Sequence, residues 1–437
     1  MASMDRPFSR RRLLAGAAAL AGGGTLLGCA PSASRSADEL SYWHLMSGGD
    51  GIVMAGLVDA VNASNAGSGA GFKATQTVLA WGPPYYTKLA MASAGGRAPD
   101  VAVMHASRIA GYAPGGLLEP WDLDLLAEVG IHERDFPPLV WQKGQYDGKL
   151  YSIALDTHPF VLYYNTSHAD KAGVTDALHS MNSPEGFTEV ATKLQKVTGK
   201  HGLSYGYLGD GSQMWRLFYT LYRQQGAEMK LVPGQQAQVD EAAAVKALTF
   251  VRSLLNDTIA TRSGDGGTAT SEFLHGESGM FFGGVWELPV LKASKLPFDA
   301  MPIPALFGTQ AAYADSHTFV LPRQSEVSAE RRRHTYQLVA EILKRSVSWA
   351  GAGHIPAYQP VIKSSEYQAL KPQSNYAGIP AYVNYDPDAW FGGAGSDFHR
   401  YFAENVQNVY LGSGDPAAGF DGFVKRLNVL LDRPQPV

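Results

Sequence analysis

Four tryptophans stand in glycine-, proline- or polar-rich surroundings. Trp81 precedes Gly82-Pro83-Pro84-Tyr85-Tyr86, Trp215 follows Gly209-Asp210-Gly211-Ser212-Gln213, Trp286 follows Gly283-Gly284, and Trp390 sits between Asp386-Pro387-Asp388-Ala389 and Phe391-Gly392-Gly393. An indole on a loop offers a flat apolar face, glycines let a ligand approach the backbone, and nearby carboxylates, amides and imidazoles exchange hydrogen bonds with hydroxyls. This set suits a polyhydroxylated molecule with apolar C–H faces. The polar candidates are His44 and His105 at the ends of strand-like runs, Asp156 and His158 between two such runs, Asp210 before Trp215, and Ser316 and His317 before another run. Gly284 and Glu287 flank Trp286, and His354 and Arg400 complete the set. Glu287 opens a helical stretch, so capping that helix and touching a ligand are both open to it. Trp43 and Trp349 have an equal claim to the core.

Other chemistries find little support. There is no His-Glu-x-x-His pair, no cysteine pair and no acidic calcium loop, and the histidines are scattered along the chain, so neither a metal nor a cofactor is expected. Gly276-Glu277-Ser278-Gly279 lacks the spacing of a nucleophile elbow. The glycine-rich segment at 67–71 precedes a strand, whereas a phosphate cradle follows one, so it reads as a loop. A secreted carbohydrate-active hydrolase stays open as an alternative. It needs two acids ~5–10 Å apart on either side of one bond.

The elements that must position these residues alternate in type. Leu40-Ser41-Tyr42-Trp43-His44 reads as a strand, a glycine-rich turn follows at 48–51, and Val53, Leu57, Ala60 and Val61 recur at helical spacing. Strands are also expected at 72–78 and 100–104, each followed by a helix. Repeated units of this kind predict an α/β fold with mainly parallel sheets, whose ligands gather at the carboxyl ends of the strands. Runs at 150–155 and 160–165, separated by Asp156-Thr157-His158-Pro159, read as a crossing between two lobes. Later helices are marked by Ser183-Pro184 and by a cap at Asp240, and strands at 298–303 and 318–322 are expected to return to the first lobe.

The N-terminus carries an address. Ser9-Arg10-Arg11-Arg12-Leu13-Leu14 leads into an Ala/Gly/Leu stretch that ends at Leu26-Leu27-Gly28-Cys29, and Cys29 is the only cysteine among 437 residues. The stretch is too short and too glycine-rich to span a bilayer, so it reads as a cleaved signal with twin arginines, and Cys29 as the site of lipid attachment. The chain is 45% hydrophobic and 11% aromatic, enough for a large core, and its length implies two lobes. The formal charge of −4 becomes more negative once Arg6, Arg10, Arg11 and Arg12 leave with a single acid, Asp5. Such a surface attracts neither nucleic acid nor anionic lipid.

Several short segments occur in an order that resembles one family: the lipoprotein signal, Tyr42-Trp43-His44, Ala98-Pro99-Asp100-Val101, Asp147-Gly148-Lys149-Leu150-Tyr151 and Val161-Leu162-Tyr163-Tyr164-Asn165. Gly276-Glu277-Ser278-Gly279-Met280, Gly284-Val285-Trp286-Glu287-Leu288-Pro289, Ala314-Asp315-Ser316-His317 and His354-Ile355-Pro356 follow. Together they resemble the solute-binding lipoproteins of carbohydrate ABC importers, similar to maltose- and glycerol-3-phosphate-binding proteins. The resemblance implies two α/β lobes joined by crossing strands and closing on a ligand, with a signal over 1–28 and a tether over 29–38. It implies an N-terminal lobe of 39–153 plus about 298–345, and a C-terminal lobe of 154–297 plus about 346–437. It also implies ligand contacts in the segments of Trp215 and Trp286, and at Asp156 and His158. His354 stands where the family often has Tyr or Gly. The implied protein is a non-enzymatic, extracytoplasmic monomer anchored by lipid. Its partners would be a sugar or oligosaccharide, two permease subunits and, through them, an ATPase. A glycerophosphodiester or other non-sugar solute is the alternative ligand.

Overall fold

The computed structural model describes residues 36, 38–68 and 71–435, so the arginine run, the apolar stretch and Cys29 lie outside the described residues. In chain order the strands begin with β1 (Glu39–His44), β2 (Lys73–Val78) and β3 (Val101–His105), interleaved with helices α1 (Gly49–Ser68) and α2 (Pro83–Ala94). Short β4 (Leu118–Glu119), the hairpin β5 (Gln145–Tyr146) and β6 (Lys149–Leu150), and β7 (Ser152–Ala154) lead to the ten-residue β8 (Asp156–Asn165). Then come α3 (Pro184–Thr198), β9 (His201–Tyr205), α4 (Gly211–Arg223), α5 (Glu241–Leu254), α6 (Gly266–Leu274), β10 (Ser278–Gly284), β11 (Phe298–Pro302), β12 (Ala312–Asp315) and β13 (His317–Pro322). The chain ends with α7 (Ala329–Lys344), β14 (Ile355–Pro356), β15 (Val383–Asn384), α8 (Asp397–Tyr410) and α9 (Pro416–Leu431), with shorter helical turns between.

Local chemistry sets the helix starts. The Ser183 side chain accepts from the Gly186 amide ahead of Pro184, and those of Asp210, Asp240 and Asp415 accept from the amides of Ser212, Ala243 and Ala418. Each cap satisfies an otherwise orphaned donor of the first turn.

Two sheets result. The first runs β2-β1-β3-β13-β4 with β7 also on β13; β1 is parallel to β2 and β3, and β13 is antiparallel to its neighbours. The second runs β15-β12-β8-β10-β9, with β11 and β14 also on β8. Every residue of β8 is buried because it is paired along its whole length: with β14 at 156–157, β12 at 158–159, and β10 and β11 at 160–165. Phe160, Leu162 and Tyr164 face one core, which the aromatic faces of α4, α8 and α9 fill, while Val161 and Tyr163 face another.

Three expectations change. Asp156-Thr157-His158-Pro159 is the first stretch of β8 and no loop, because β14 and β12 supply its backbone partners. Phe298–Pro302 pairs with β8 in the second sheet and does not return to the first, so the chain regains the first sheet only at Ser316, between β12 and β13. Trp349 and Ala357 join the core beneath the first sheet, although they follow residue 346. The crossings at Leu155 and Ser316 lie side by side, since His158 is paired with Asp315 and the Leu155 amide donates to the His317 carbonyl, and a third crossing, between α7 in the first core and β14 on β8, returns the chain to the second sheet.

Candidate functional site

A cleft of about 270 Å³ lies where both sheets end. From the first sheet come Leu45, Ser47, Gly48, Gly49 and Asp50 after β1, Trp81 after β2, His105 at the end of β3, and His317 at the start of β13. From the second come His158 on β8, Asp210, Gln213 and Arg216 at the start of α4, Trp286 after β10, and His354. The strand ends and the helix that follows them place these groups, as expected for α/β ligand sites.

Period two explains the histidines. Asp156 and His158 continue the face of β8 that carries Phe160, and His105 and His317 are register partners on β3 and β13. The rings of His158 and His317 stack at 4.2 Å, and those of His105 and His317 stand 4.9 Å apart. Asp156 lies beneath them. His158 Nδ1 is 2.9 Å from its Oδ1 and His317 Nδ1 is 2.8 Å from its Oδ2, while the His317 amide donates to Oδ1 and Trp349 Nε1 donates to Oδ2 at 2.7 Å. His354 Nδ1 is 3.4 Å from Asp156 Oδ2. The sequence separates these residues widely, but the two crossings and β14 bring them together, so the expectation of scattered histidines does not hold.

Electrostatics follow from that convergence. Burial alone would raise the Asp156 carboxyl, but His317, His158 and His354 outweigh it and hold the group well below the ordinary carboxylate range. Burial lowers His317, yet the Asp156 charge and hydrogen bond prevail and raise it. Burial foremost, then repulsion from neighbouring imidazoles, lowers His105 and His158. Burial pushes His354 down to about 3. The arrangement is one buried carboxylate paired chiefly with His317 among otherwise neutral imidazoles.

Trp286 rests on Gly284, where a Cβ would lie 2.1 Å from the ring, and the Arg216 guanidinium covers the ring at 4.6 Å from its centroid. Arg216 is buried and its Nε has no hydrogen-bond partner among the described residues. Trp81, 39% exposed, presents a second indole from the other lobe.

Of the residues singled out from sequence, Trp81, His105, His158, Asp210, Trp286, His317 and His354 line the cleft, with Asp156 and Gly284 directly behind. Others do not. Trp215 is fully buried and donates to Asp386 Oδ1 at 2.6 Å, because it lies on the core face of α4. His44 is buried beside Gln76 at 3.0 Å, and Ser316 Oγ pairs with Tyr385 at 2.7 Å. Glu287 caps nothing through its side chain and sits beside Trp286 and Thr270, its carboxyl raised by burial. Trp390 lines a separate cavity with Arg108 and Tyr112. Arg400 is exposed and paired with Asp397 and Glu404; it borders a cavity of about 540 Å³ that shares Trp81 and Asp210 with the cleft.

Sequence reasoning missed Asp50 and Gln213 as lining residues and held Arg216 only as an arginine that could point inward. The signals were present: a glycine turn at the carboxyl end of β1, and an i, i+3 pair on the first turns of a capped helix. Asp50 Oδ1 accepts from the Gly48 and Gly51 amides and so shapes that turn.

Solved structures of similar fold include the GacH receptor of Streptomyces glaucescens, 17% identical, with 90% of this chain and 98% of that one covered and a TM-score of 0.75. UgpB from Mycobacterium tuberculosis, solved with glycerophosphocholine, is 19% identical over 90% and 98% of the two chains at a TM-score of 0.74. Maltose-bound MalE3 of T. maritima is 16% identical over 90% and 99% at 0.74. At such identity the likeness carries the fold, two α/β lobes of the maltose-binding-protein type. The bacterial extracellular solute-binding protein profile matches residues 82–369, about two thirds of the sequence, and the chain belongs to that family.

Proposed function

We propose that this chain is the extracytoplasmic receptor of an ABC importer that captures a sugar or oligosaccharide in the cleft and delivers it to a membrane permease. The carrying observation is the lining: one accessible indole from each lobe, with imidazoles, carboxylates, an amide and a guanidinium between them. Indoles would cover C–H faces while the polar groups exchange hydrogen bonds with hydroxyls. Its volume, near the lower end of the ~300–1,000 Å³ usual for small-molecule sites, suits a short saccharide.

Two permease subunits, one for each lobe, and an ATPase beyond them are the proposed partners. A signal over residues 1–28 and acylation of Cys29 would hold a monomeric receptor at the membrane. Among the described residues no helix is long and apolar enough to cross a membrane.

A thermal-shift screen against a sugar library tests the ligand class: a cognate sugar at 100 times its dissociation constant should stabilise the protein by about 2.7 kcal/mol. Trp286→Ala should then lose more than the ~0.5–1.5 kcal/mol of aromatic stacking, because apolar burial goes too. Unaltered affinity would remove Trp286 from the site. Arg216, whose Nε has no hydrogen-bond partner among the described residues, favours a second reading, an anionic solute such as a glycerophosphodiester, so the library includes one; a hit only there would replace the sugar. Turnover of an oligosaccharide by purified protein would support the hydrolase instead.

A further inference from the structure

We propose that Asp156, His158, His317 and His354 form a binding site for one divalent transition-metal ion of the zinc class at the floor of the cleft. One nitrogen from each imidazole and one carboxylate oxygen lie within 4.8 Å of one another, and all four residues are buried. Three imidazoles and one carboxylate are a donor set that zinc accepts in tetrahedral geometry, with bonds of about 2.0–2.2 Å. Such bonds place neighbouring ligand atoms roughly 3.4 Å apart. Asp156 Oδ1 is 2.9 Å from His158, and Oδ2 is 2.8 and 3.4 Å from His317 and His354; with all four ligand atoms within 4.8 Å of one another, the widest separation needs to close by no more than roughly 1.4 Å to admit an ion.

A second observation points to a missing partner. His354 is completely buried, yet neither ring nitrogen has a hydrogen-bond partner among the described residues. A buried imidazole left in that state is unfavourable, and ligation satisfies one of its two nitrogens. Its ring is also held in place, stacked on Trp349 at 4.4 Å with the planes 8° apart. Trp349 Nε1 and the His317 amide fix the Asp156 carboxylate from behind, which is the outer support that ligating carboxylates use. His158, His317 and His354 line the cleft, so an ion can reach the site from solvent.

The ligands come from all three crossings between the sheets. Asp156 and His158 open β8 in the second sheet, His317 opens β13 in the first, and His354 immediately precedes β14. A bound ion ties the segments on which the two lobes join.

The test uses the full-length protein stripped with a chelator and titrated with Zn²⁺ alone, then with Co²⁺ as a spectroscopic substitute. We expect one ion per chain, the intense visible absorption of tetrahedral Co²⁺, and three imidazoles in the X-ray absorption spectrum. His354→Gln should weaken Zn²⁺ binding at least 100-fold, whereas His275→Gln, at an exposed histidine away from the cleft, should leave it unchanged. No binding by wild type, an octahedral Co²⁺ spectrum, or undiminished affinity in folded His354→Gln would overturn the proposal. The wild-type absorption spectrum decides even when the variant does not fold: fewer than two imidazoles around the ion would overturn it.

Discussion

Asp386 organises the helical core of the second lobe from a single carboxylate. Oδ1 accepts from Trp215 Nε1 at 2.6 Å, and Oδ2 lies 2.9 Å from His399 Nε2. Burial would raise its carboxyl, but the nearby His399 and the hydrogen bond from Trp215 prevail and lower it. A folded-state value below that of the unfolded chain contributes stability above the unfolded value of ~3.9 and loses it as pH falls through the folded value. Asp386→Asn should therefore destabilise at pH 7 by about 1–3 kcal/mol and flatten the loss of stability below about pH 4. Urea denaturation between pH 3 and 7 checks this; an acid limb identical to wild type would show that Asp386 does not titrate with unfolding. Trp215 belongs to the same network. Trp215→Ala should cost ~3–5 kcal/mol of stability and leave the ligand affinity of the folded protein unchanged, as measured by denaturation and calorimetry.

Elements meet at glycines where no side chain fits. Gly353 has φ +99°, and a Cβ there would lie 1.9 Å from the Val285 carbonyl, in the turn that carries Trp286. This close approach sets His354 beside that turn. Gly353→Ala combines backbone strain of about 1–2 kcal/mol with overpacking of about 1–3 kcal/mol, so it should lower the urea midpoint markedly. An unchanged midpoint would mean that the loop yields. Helices such as α3 and α5 were legible because Ser183-Pro184 and Asp240 announce their first turns, and strands β1 to β3 because apolar residues cluster between turn signals. Phe298–Pro302 was legible as a strand but not as a partner of β8, since pairing depends on which edge is open in the folded sheet.

At the scale of the molecule, the two lobes are joined at Leu155, at Ser316 and between α7 and β14, crossings on which a hinge can turn. If ligand capture closes that hinge, saturating cognate ligand should reduce the radius of gyration in small-angle scattering, and an unchanged radius would count against closure. The proposed anchoring at Cys29 is testable separately from capture. Cys29 lies outside the described residues and precedes the first residue that lines the cleft, Leu45, so Cys29→Ala should abolish lipid incorporation in labelled cells while purified protein keeps its affinity. Wild-type protein without lipid would remove the anchor.

The sequence by itself determined the alternation of strand and helix, the need for two lobes, the caps, and the glycine-flanked indoles Trp81 and Trp286, because periodicity, turn chemistry and composition are local properties. It also marked His158 and His317 as polar groups in apolar surroundings. Only the tertiary structure decided that Trp215 is core and Trp286 is cleft, since both follow glycines and only packing distinguishes the buried face of α4 from the end of β10. Likewise, Asp156, His158, His317 and His354 become one cluster only when β8, β13 and the segment before β14 converge, because contact between residues so far apart in the chain depends on strand pairing that no local pattern encodes.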